Sequence, residues 1–353
     1  MQVRRVFPCA NRYSGGWLIK SIAGLRVSDR PIQALWYVGE GRAELRAESV
    51  AAPAAGEVRL RALYGAVSRG TERLVFNGRV PSSEHLRMRG PNMAGAFPFP
   101  VKYGYATVGQ VELGPPALQG ATVFALHPHQ NVFNVAADSV IAIPPGVAPA
   151  RAVLAANMET ALNAVWDAAP VAADRIAVVG AGVVGSLVAW LCGQLPGAET
   201  TLVDIDPSRE ALARSLGVRF AESGSAPRDC DLVVHASGTA AGLALALNLA
   251  GDEASVLELS WYGAGDVAAP LGGAFHSRRL KLIASQVGRV APSHRARWTT
   301  ARRLAAALDL LADPRLDALL APAIGFRDLP LRLPDILAPP GGVLCQLVSY
   351  PEA

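Results

Sequence analysis

The stretch RIAVVGAGVVGSLVAWLC, residues 175–192, decides the fold of this chain. Residues 176–179 form a continuous apolar run, which is typical of a parallel strand buried on both faces. Gly180, Gly182 and Gly185 follow at the spacing GxGxxG, and residues 185–193 have the pattern of a helix. A strand, a glycine-rich turn and a helix in this order predict a βαβ unit that holds a dinucleotide.

Each glycine of the turn has its own expected task. Gly180 permits the tight turn, Gly182 lets the backbone approach a pyrophosphate, and Gly185 allows close packing of the helix on the strand. Val183 and Val184 lie directly before the predicted helix, whose N-terminus offers unpaired N–H groups and a dipole that favour an anion. We therefore predict cofactor contacts along the whole turn.

An acidic residue at the end of the next strand favours one form of the cofactor. Asp204 follows the apolar strand 200–203 and lies nineteen residues after Gly185. A carboxylate at this place accepts hydrogen bonds from the adenosine ribose and repels a 2′-phosphate. NAD(H) is thus expected rather than NADP(H), although nearby Arg209 would partly offset this preference. The alternative is a structural glycine turn with a capping aspartate.

Strands and helices alternate beyond this unit, which indicates a doubly wound parallel sheet and an α/β fold class. Ligand contacts are expected where such strands end, and they are predicted at Ser237, Gly238, Ser260 and Ser285. His235, at the end of one strand, is interpreted as a packing residue. The further strands are predicted at 231–235, 255–259 and 280–284, and the helices at 208–216, 240–250 and 297–311.

The first 145 residues have a different pattern. Residues 57–64 alternate polar with apolar side chains, as a half-buried strand does, and prolines and glycines punctuate the sequence around them. These residues predict an irregular, mostly antiparallel β domain, which an alanine-rich helix at 150–169 follows. A final strand at 343–348 is expected to return to it.

Composition excludes several classes of protein. The chain has 353 residues, of which 51% are hydrophobic and 18% charged, and its mean hydropathy is +0.26. A disordered chain would be charge-rich and apolar-poor. The spacing of the cysteines excludes a cysteine-rich structural zinc site and makes a disulfide scaffold an unfavoured interpretation. They are Cys9, Cys192, Cys230 and Cys345.

The charge is concentrated at one end. The net charge is +4, and the first thirty residues contain six basic residues and one acidic residue. Residues 1–32 are therefore expected to be a flexible extension, and the remainder, close to neutral, does not indicate nucleic-acid binding. The sequence contains no run of about eighteen apolar residues, so it predicts no membrane span. We expect a cytoplasmic protein with a small-molecule substrate.

Three further segments carry a resemblance to a known family. They are GYATVGQV at 104–111, GTE at 70–72 and NMETALN at 157–163. Together with the dinucleotide unit they resemble the medium-chain dehydrogenase/reductase superfamily, of the zinc-type alcohol dehydrogenase kind. The resemblance implies a GroES-like catalytic domain at 33–165 and 290–353, a Rossmann domain at 166–289, and a homodimer.

The departures from that family concern the metal. Zinc-dependent members ligate zinc with Cys, His and a third Cys or acid, but here Ser68 or Arg69 matches the Cys position and Tyr105 the His position. Serine and neutral tyrosine are poor zinc ligands. We therefore predict no metal. The string SRGTERL at 68–74 also resembles the branch that includes bacteriochlorophyllide hydroxyethyl dehydrogenase.

Without zinc, another group must handle the proton and the substrate oxygen. Tyr105 is the first candidate, and Ser68 and Thr71 are its hydroxyl partners; the alternative is that they are structural. His127 and His129, at i and i+2, are candidate substrate contacts or structural hydrogen-bonding residues. Trp261 and Tyr262 are candidate walls for a flat substrate, or packing residues.

Three functions are compatible with these residues. The leading hypothesis is a zinc-independent NAD(H) oxidoreductase that acts on an alcohol/carbonyl pair. The second is an enoyl or quinone reductase of the same architecture, which would favour NADPH. The third is a non-catalytic protein that binds the cofactor.

Overall fold

The computed structural model describes residues 31–338 and 343–350. The predicted N-terminal extension therefore lies outside the described residues, apart from Pro31 and Ile32. The described residues cluster as one compact unit.

The first part of the chain folds into antiparallel sheets, as predicted. Strands β1 and β2 belong to a four-stranded sheet of order β2-β1-β5-β4, and β3 is the centre of a larger sheet. A short helix, α1, follows β3 directly. The elements are β1 (Gln33–Gly39), β2 (Arg42–Ala47), β3 (Glu57–Val67), α1 (Arg69–Phe76), β4 (Ala94–Gly95), β5 (Val101–Lys102), β6 (Thr107–Leu113), β7 (Thr122–Ala125), β8 (Val132–Ala136) and β9 (Val140–Ala142).

The helix predicted at 150–169 is two helices, separated at Val153 and Leu154. Burial continues through this break, because every residue from 151 to 159 is buried. The helices are α2 (Pro149–Ala152) and α3 (Ala155–Ala168).

The second sheet is entirely parallel, as the apolar runs predicted. Its order is β12-β11-β10-β13-β14-β15. The chain starts at the middle strand, moves outward, and then returns to the other side, which is the doubly wound order with a switch point beside β10. The elements are β10 (Arg175–Val179), α4 (Val183–Cys192), β11 (Glu199–Asp204), α5 (Arg209–Leu216), β12 (Arg219–Glu222), β13 (Cys230–His235), α6 (Ala240–Leu249), β14 (Ala250–Glu258) and β15 (Lys281–Ala284).

The C-terminal part returns to the first sheet. It contains α7 (Thr300–Leu310), β16 (Leu320–Gly325), α8 (Leu329–Leu337) and β17 (Cys345–Ser349). Strand β17 pairs antiparallel with β3, so that Gln346 lies opposite Val67, and β16 pairs parallel with β17. The prediction that the last strand rejoins the first domain is confirmed.

Short turns of helix connect the larger elements. The 3-10 turns are Ser82–Glu84, Ala137–Ser139, Ser223–Ser225, Pro314–Leu319 and Phe326–Asp328, and a π turn covers Leu271–Phe275. No helix in the described part of the chain is both long enough and apolar enough to span a bilayer.

Candidate active site

The glycine-rich turn has the shape that its sequence requires. Gly180 has φ of +109°, and a Cβ atom there would lie 2.7 Å from the backbone nitrogen of Ser237. A Cβ on Gly185 would lie 2.0 Å from the carbonyl oxygen of Gly180. By contrast, the Cβ position of Gly182 has nothing within 4 Å. The turn is therefore tight on the protein side and open at Gly182, where α4 begins with Val183 and Val184.

Asp204 is tied to this turn by its own carboxylate. Its Oδ2 accepts a hydrogen bond of 2.6 Å from the backbone N–H of Ala181, and its Oδ1 accepts one of 2.9 Å from Asp206. Arg209 lies close by and forms an ion pair with Asp206, at 3.3 Å. A fixed carboxylate thus stands beside the glycine turn at the end of β11.

A phenol and a serine hydroxyl meet where the family's motifs would place two zinc ligands. The Tyr105 hydroxyl donates to Ser68 Oγ at 2.5 Å. Burial raises the pKa of Tyr105 to about 12, although hydrogen bonding with Ser68 and Thr71 favours its ionised form and opposes this rise. Tyr105 is therefore a neutral phenol at physiological pH.

Ser68 and Arg69 were the two candidates for the position that the resemblance matches to a zinc-ligating cysteine, and the structure distinguishes them. Arg69 turns away and binds backbone carbonyls on both sides of the segment between α8 and β17. Its Nε donates to Ile336 at 2.7 Å, its Nη1 to Val343 at 2.9 Å, and its Nη2 to Ala338 at 3.0 Å. Ser68, and not Arg69, is the neighbour of Tyr105.

A buried carboxylate fixes the position of the Ser68 backbone. Glu72, which is 0% exposed, accepts a hydrogen bond of 2.7 Å from the backbone N–H of Ser68. Its other oxygen accepts from the Tyr37 hydroxyl at 2.6 Å and lies 3.0 Å from His129 Nε2. Sequence reasoning quoted Glu72 only as part of the GTE segment, because its partners lie far away in sequence.

The two predicted histidine contacts are both buried, and they face different neighbours. His127 stacks on Phe133, with ring centroids 3.6 Å apart, and burial lowers its pKa to about 3. His129 faces Glu72. Neither ring is open to solvent, so a substrate would reach either one only if neighbouring side chains moved.

The loop after β14 connects the two sheets. Trp261 packs against the hydrophobic cluster of the first domain. Ala264 donates a backbone hydrogen bond of 3.1 Å to the Arg79 carbonyl, and a Cβ on Gly263 would lie 2.6 Å from that carbonyl oxygen and 2.9 Å from a Leu74 methyl group. Residues 261–264 therefore rest on the end of α1, the helix that begins beside Ser68.

His235, interpreted above as a packing residue, is buried and also makes polar contacts. Its ring is 0% exposed, but both ring nitrogens have polar partners: Nδ1 lies 2.8 Å from Glu258 Oε2 and Nε2 lies 2.7 Å from Ser237 Oγ. Ser260 belongs to the same group, because its Oγ accepts a hydrogen bond of 3.0 Å from the Gly238 N–H.

Ser285, the last predicted cofactor contact, follows β15. Its hydroxyl donates to Asp167 at 2.6 Å, and its N–H donates to the Glu258 carbonyl at 3.1 Å. Its side chain is thus engaged with α3. Among residues 31–338 and 343–350, no cluster of three or more His, Cys, Asp or Glu side chains could hold a metal ion.

The antiparallel first domain, the doubly wound second domain and the C-terminal return together form a fold that is also found in several dehydrogenases of known structure. Comparison with solved structures shows this fold. L-Idonate 5-dehydrogenase of Escherichia coli is 13% identical, with a TM-score of 0.74, and the match covers 91% of this chain and 99% of that one.

Two other similar structures contain a cofactor. A short chain alcohol dehydrogenase of Escherichia coli in complex with NADH is 15% identical, with a TM-score of 0.71 over 90% of this chain and 99% of that one. A dehydrogenase of the zinc-binding type from Sinorhizobium meliloti, bound to NADP, is 18% identical, with a TM-score of 0.71 over 91% and 99%. No protein-family model matches the chain, and no curated protein matches it by sequence.

Proposed function

We propose that this protein is an NAD(H)-dependent oxidoreductase that interconverts an alcohol and a carbonyl compound, with hydroxyl groups in place of zinc. The observation that carries the proposal is the hydrogen bond from Tyr105 to Ser68. It joins the two segments in which related enzymes carry metal ligands. A neutral phenol at that place can donate a hydrogen bond to a carbonyl oxygen.

The residues present fit a dinucleotide. The open space at Gly182 and the first turn of α4, with Val183 and Val184, suit a pyrophosphate. Asp204, fixed by two backbone N–H groups, suits the hydroxyls of the adenosine ribose. When bound there, the nicotinamide supplies or accepts the hydride.

The charges near Asp204 support NAD(H) over NADP(H). A 2′-phosphate would bring further negative charge next to this carboxylate, which costs free energy. Arg209 is the nearby cation that could compensate, and it forms an ion pair with Asp206. The ion pair ties part of its charge to the protein, so the preference set by Asp204 persists.

The residues beside Tyr105 do not fit a catalytic zinc ion. Zinc sites in proteins use thiolate, imidazole or carboxylate ligands. Burial raises the pKa of Tyr105 to about 12, so it keeps its proton near neutral pH, and a neutral phenol is a poor zinc ligand. The residues therefore favour chemistry by hydroxyl groups.

The protein's own residues would then act as follows in carbonyl reduction. When the substrate binds, the Tyr105 hydroxyl turns its one hydrogen from Ser68 Oγ to the carbonyl oxygen, and it passes this proton to that oxygen as negative charge develops. Ser68 and Thr71 stabilise the phenolate that remains, since their hydrogen bonds favour the ionised form. Glu72 positions Ser68 by accepting its backbone N–H.

A binding and turnover experiment tests this function. Purified protein is titrated with NADH and NADPH, and turnover is then measured with a panel of ketones, aldehydes and enones before and after dialysis against a chelator. We expect tighter binding of NADH, reduction of carbonyl compounds, and activity that survives the chelator. Failure to bind either cofactor, or stoichiometric zinc whose removal abolishes activity, contradicts the proposal.

We also propose a homodimer and a cytoplasmic location. Strand β15 is the edge of the parallel sheet, and Leu282 on it is 41% exposed. An exposed apolar edge strand can pair with a second copy. Sedimentation analysis tests the dimer, and a monomeric species at all concentrations contradicts it.

A further inference from the structure

A fully buried arginine lies on α7. Arg303 is 1% exposed, and within the part of the chain that the structure describes it is the largest side chain that is fully buried. The residue before it, Arg302, is exposed and lies over the Trp298 ring, 3.9 Å from the ring centroid. Burial of a guanidinium costs free energy unless its charge and its hydrogen bonds are satisfied. The partners of Arg303 therefore indicate what this side chain does.

The Arg303 guanidinium binds one carboxylate and the backbone of one segment, residues 285–291. Its Nε donates to Glu159 Oε1 at 3.0 Å, which pairs the charge. Its Nη2 donates to the Val287 carbonyl at 2.5 Å, and its Nη1 donates to the Arg289 carbonyl at 3.2 Å. A planar guanidinium holds several acceptors in fixed directions at once, whereas a lysine ammonium is a compact point charge.

Side chains of α3 fix the two ends of the same segment. Asn163 Oδ1 accepts from the Ala291 N–H at 3.0 Å, and it also accepts from Arg303 Nη1. At the other end, the Ser285 hydroxyl donates to Asp167 at 2.6 Å. The segment is thus held at every second residue by side chains of α3 and α7.

The segment lies at the carboxyl edge of the parallel sheet. It directly follows β15, and the Ser285 N–H donates to the carbonyl of Glu258, the last residue of β14, at 3.1 Å. Asp204 ends β11, which lies on the other side of β10. A dinucleotide lies along this edge of a doubly wound sheet. With its adenosine at Asp204, its reacting half therefore faces the strands on the side of the segment.

We infer that Arg303 is a positioning residue for the reaction, because it fixes the segment 285–291 and so sets the geometry of the reacting half of the site. This inference rests on the proposed function. Glu159 occupies only the Nε donor, whereas Nη1 and Nη2 are directed at the segment and at Asn163. Since Arg303 is buried, it acts through the backbone that it holds and not by contact with the substrate.

Two buried arginines form a matched pair for the test. Arg303→Lys keeps a positive charge for Glu159, but a single ammonium group cannot replace the fork that holds two backbone carbonyls. Arg151, which is 6% exposed, binds the Asp317 carboxylate and two backbone carbonyls just after α7. Arg151→Lys therefore removes similar hydrogen bonds without releasing the segment.

Hydrogen exchange measures the positioning directly and needs no cofactor. We expect Arg303→Lys to speed the amide exchange of peptides that cover residues 285–291 by about tenfold, the value of one hydrogen bond to a charged group. Arg151→Lys should leave the exchange of these peptides unchanged. Mass spectrometry of the full-length protein provides the measurement.

Two further measurements connect the segment with the reaction. ADP contains only the adenosine half of the cofactor, so its dissociation constant should be unchanged in Arg303→Lys. Turnover is measured at saturating NADH with the ketone or aldehyde of the panel that wild type reduces fastest. We expect kcat of Arg303→Lys to fall by about tenfold to a hundredfold, as a misplaced reacting group predicts, whereas Arg151→Lys should stay within about threefold of wild type.

A second variant serves if Arg303→Lys does not fold. Arg303→Met combined with Glu159→Met removes both charges together, and replacement of a buried ion pair by apolar residues is often neutral for stability. It also removes every hydrogen bond from residue 303 to the segment. The same faster exchange and lower kcat are expected, with ADP binding unchanged.

The outcomes are distinguishable. Wild-type protein that binds neither ADP nor NADH, or that binds them and reduces no compound of the panel, overturns the proposed function and this inference with it. Active wild-type protein, with segment exchange or kcat of Arg303→Lys equal to wild type, overturns only the inference. Weakened ADP binding in Arg303→Lys, or an equal loss of kcat in Arg151→Lys, also overturns it, because either indicates a general loss of structure.

Discussion

Replacing Tyr105 with phenylalanine removes a single oxygen atom from the candidate site. The ring remains, and it keeps its edge-to-face contact with Tyr103, at a centroid distance of 6.1 Å. What disappears is the hydroxyl that donates to Ser68 at 2.5 Å. The variant therefore separates the chemical role of the phenol from its packing role.

The structure sets different magnitudes for turnover and for stability. Loss of a group that transfers a proton in the transition state lowers the rate by about 10²- to 10⁴-fold, or about 3 to 5 kcal/mol of activation free energy. Loss of one hydrogen bond at a half-buried serine, which water can replace, costs only about 1 kcal/mol of folding free energy. We expect a large fall in kcat/KM with a nearly unchanged urea midpoint.

The assay is carbonyl reduction at pH 7, followed through the oxidation of NADH, with urea denaturation in parallel. Tyr103→Phe is the matched control, since it removes the same atom from a neighbouring buried tyrosine, and it should keep activity within about threefold of wild type, the scale of a mild packing change. Turnover of Tyr105→Phe equal to that of Tyr103→Phe would refute the proton-donor role.

Three further predictions use other parts of the structure. Because the pKa of Tyr105 is about 12, the rate of carbonyl reduction should be constant between pH 6 and pH 10. Alcohol oxidation needs the phenolate, so its rate should rise about tenfold per pH unit over the same range. The pH–rate profiles of both directions check this, and a flat oxidation profile contradicts it. Asp204→Ala should shift the ratio of the NADPH and NADH dissociation constants toward NADPH by about tenfold or more, as expected when a repulsion of at least about 1.4 kcal/mol is removed, and an unchanged ratio in fluorescence titrations means that the carboxylate does not select the cofactor. Gly104→Ala should destabilise the fold by about 2 to 4 kcal/mol in urea denaturation, because φ there is +122° and the new Cβ would lie 2.8 Å from the His129 ring. Gly120→Ala is the control, since φ there is +78° and nothing lies within 4 Å of the new Cβ, and it should cost less stability. Equal losses of stability refute the steric argument.

The cofactor half of the molecule could be predicted from sequence because its determinants are local. The apolar run at 176–179 lies within β10, which spans Arg175–Val179, and Asp204 ends β11 as expected. Gly180 and Gly185 are required by close contacts within the same βαβ unit or its neighbouring strand, and Gly182 leaves open space. Local patterns of this kind need no knowledge of distant partners.

The His235–Glu258 pair could not be recognised in the same way, since its members are 23 residues apart. Only the register of β13 and β14 brings them together. A usable signal was nevertheless present, because His235 ends one predicted buried strand (231–235) and Glu258 lies one residue before the end of the next (255–259). Polar residues at neighbouring strand ends of a parallel sheet meet at one edge.

The catalytic half was less predictable because its geometry comes from irregular backbone. Alternation in an extended strand would direct His127 and His129 to one side. The segment is not a strand in the structure, and the two rings face Phe133 and Glu72 instead. The eight-residue helix α1 was also missed, because the glycine at its second position suggested a turn.

The anchoring of Arg69 ties distant parts of the chain to the reacting group. The Arg69 guanidinium binds the backbone carbonyls of Ile336, Ala338 and Val343. Arg69 directly follows Ser68 in the sequence. An insertion or deletion between residues 338 and 343 would therefore pull on the serine that receives the Tyr105 hydrogen bond. A change in that remote part of the sequence would thus also alter the candidate site.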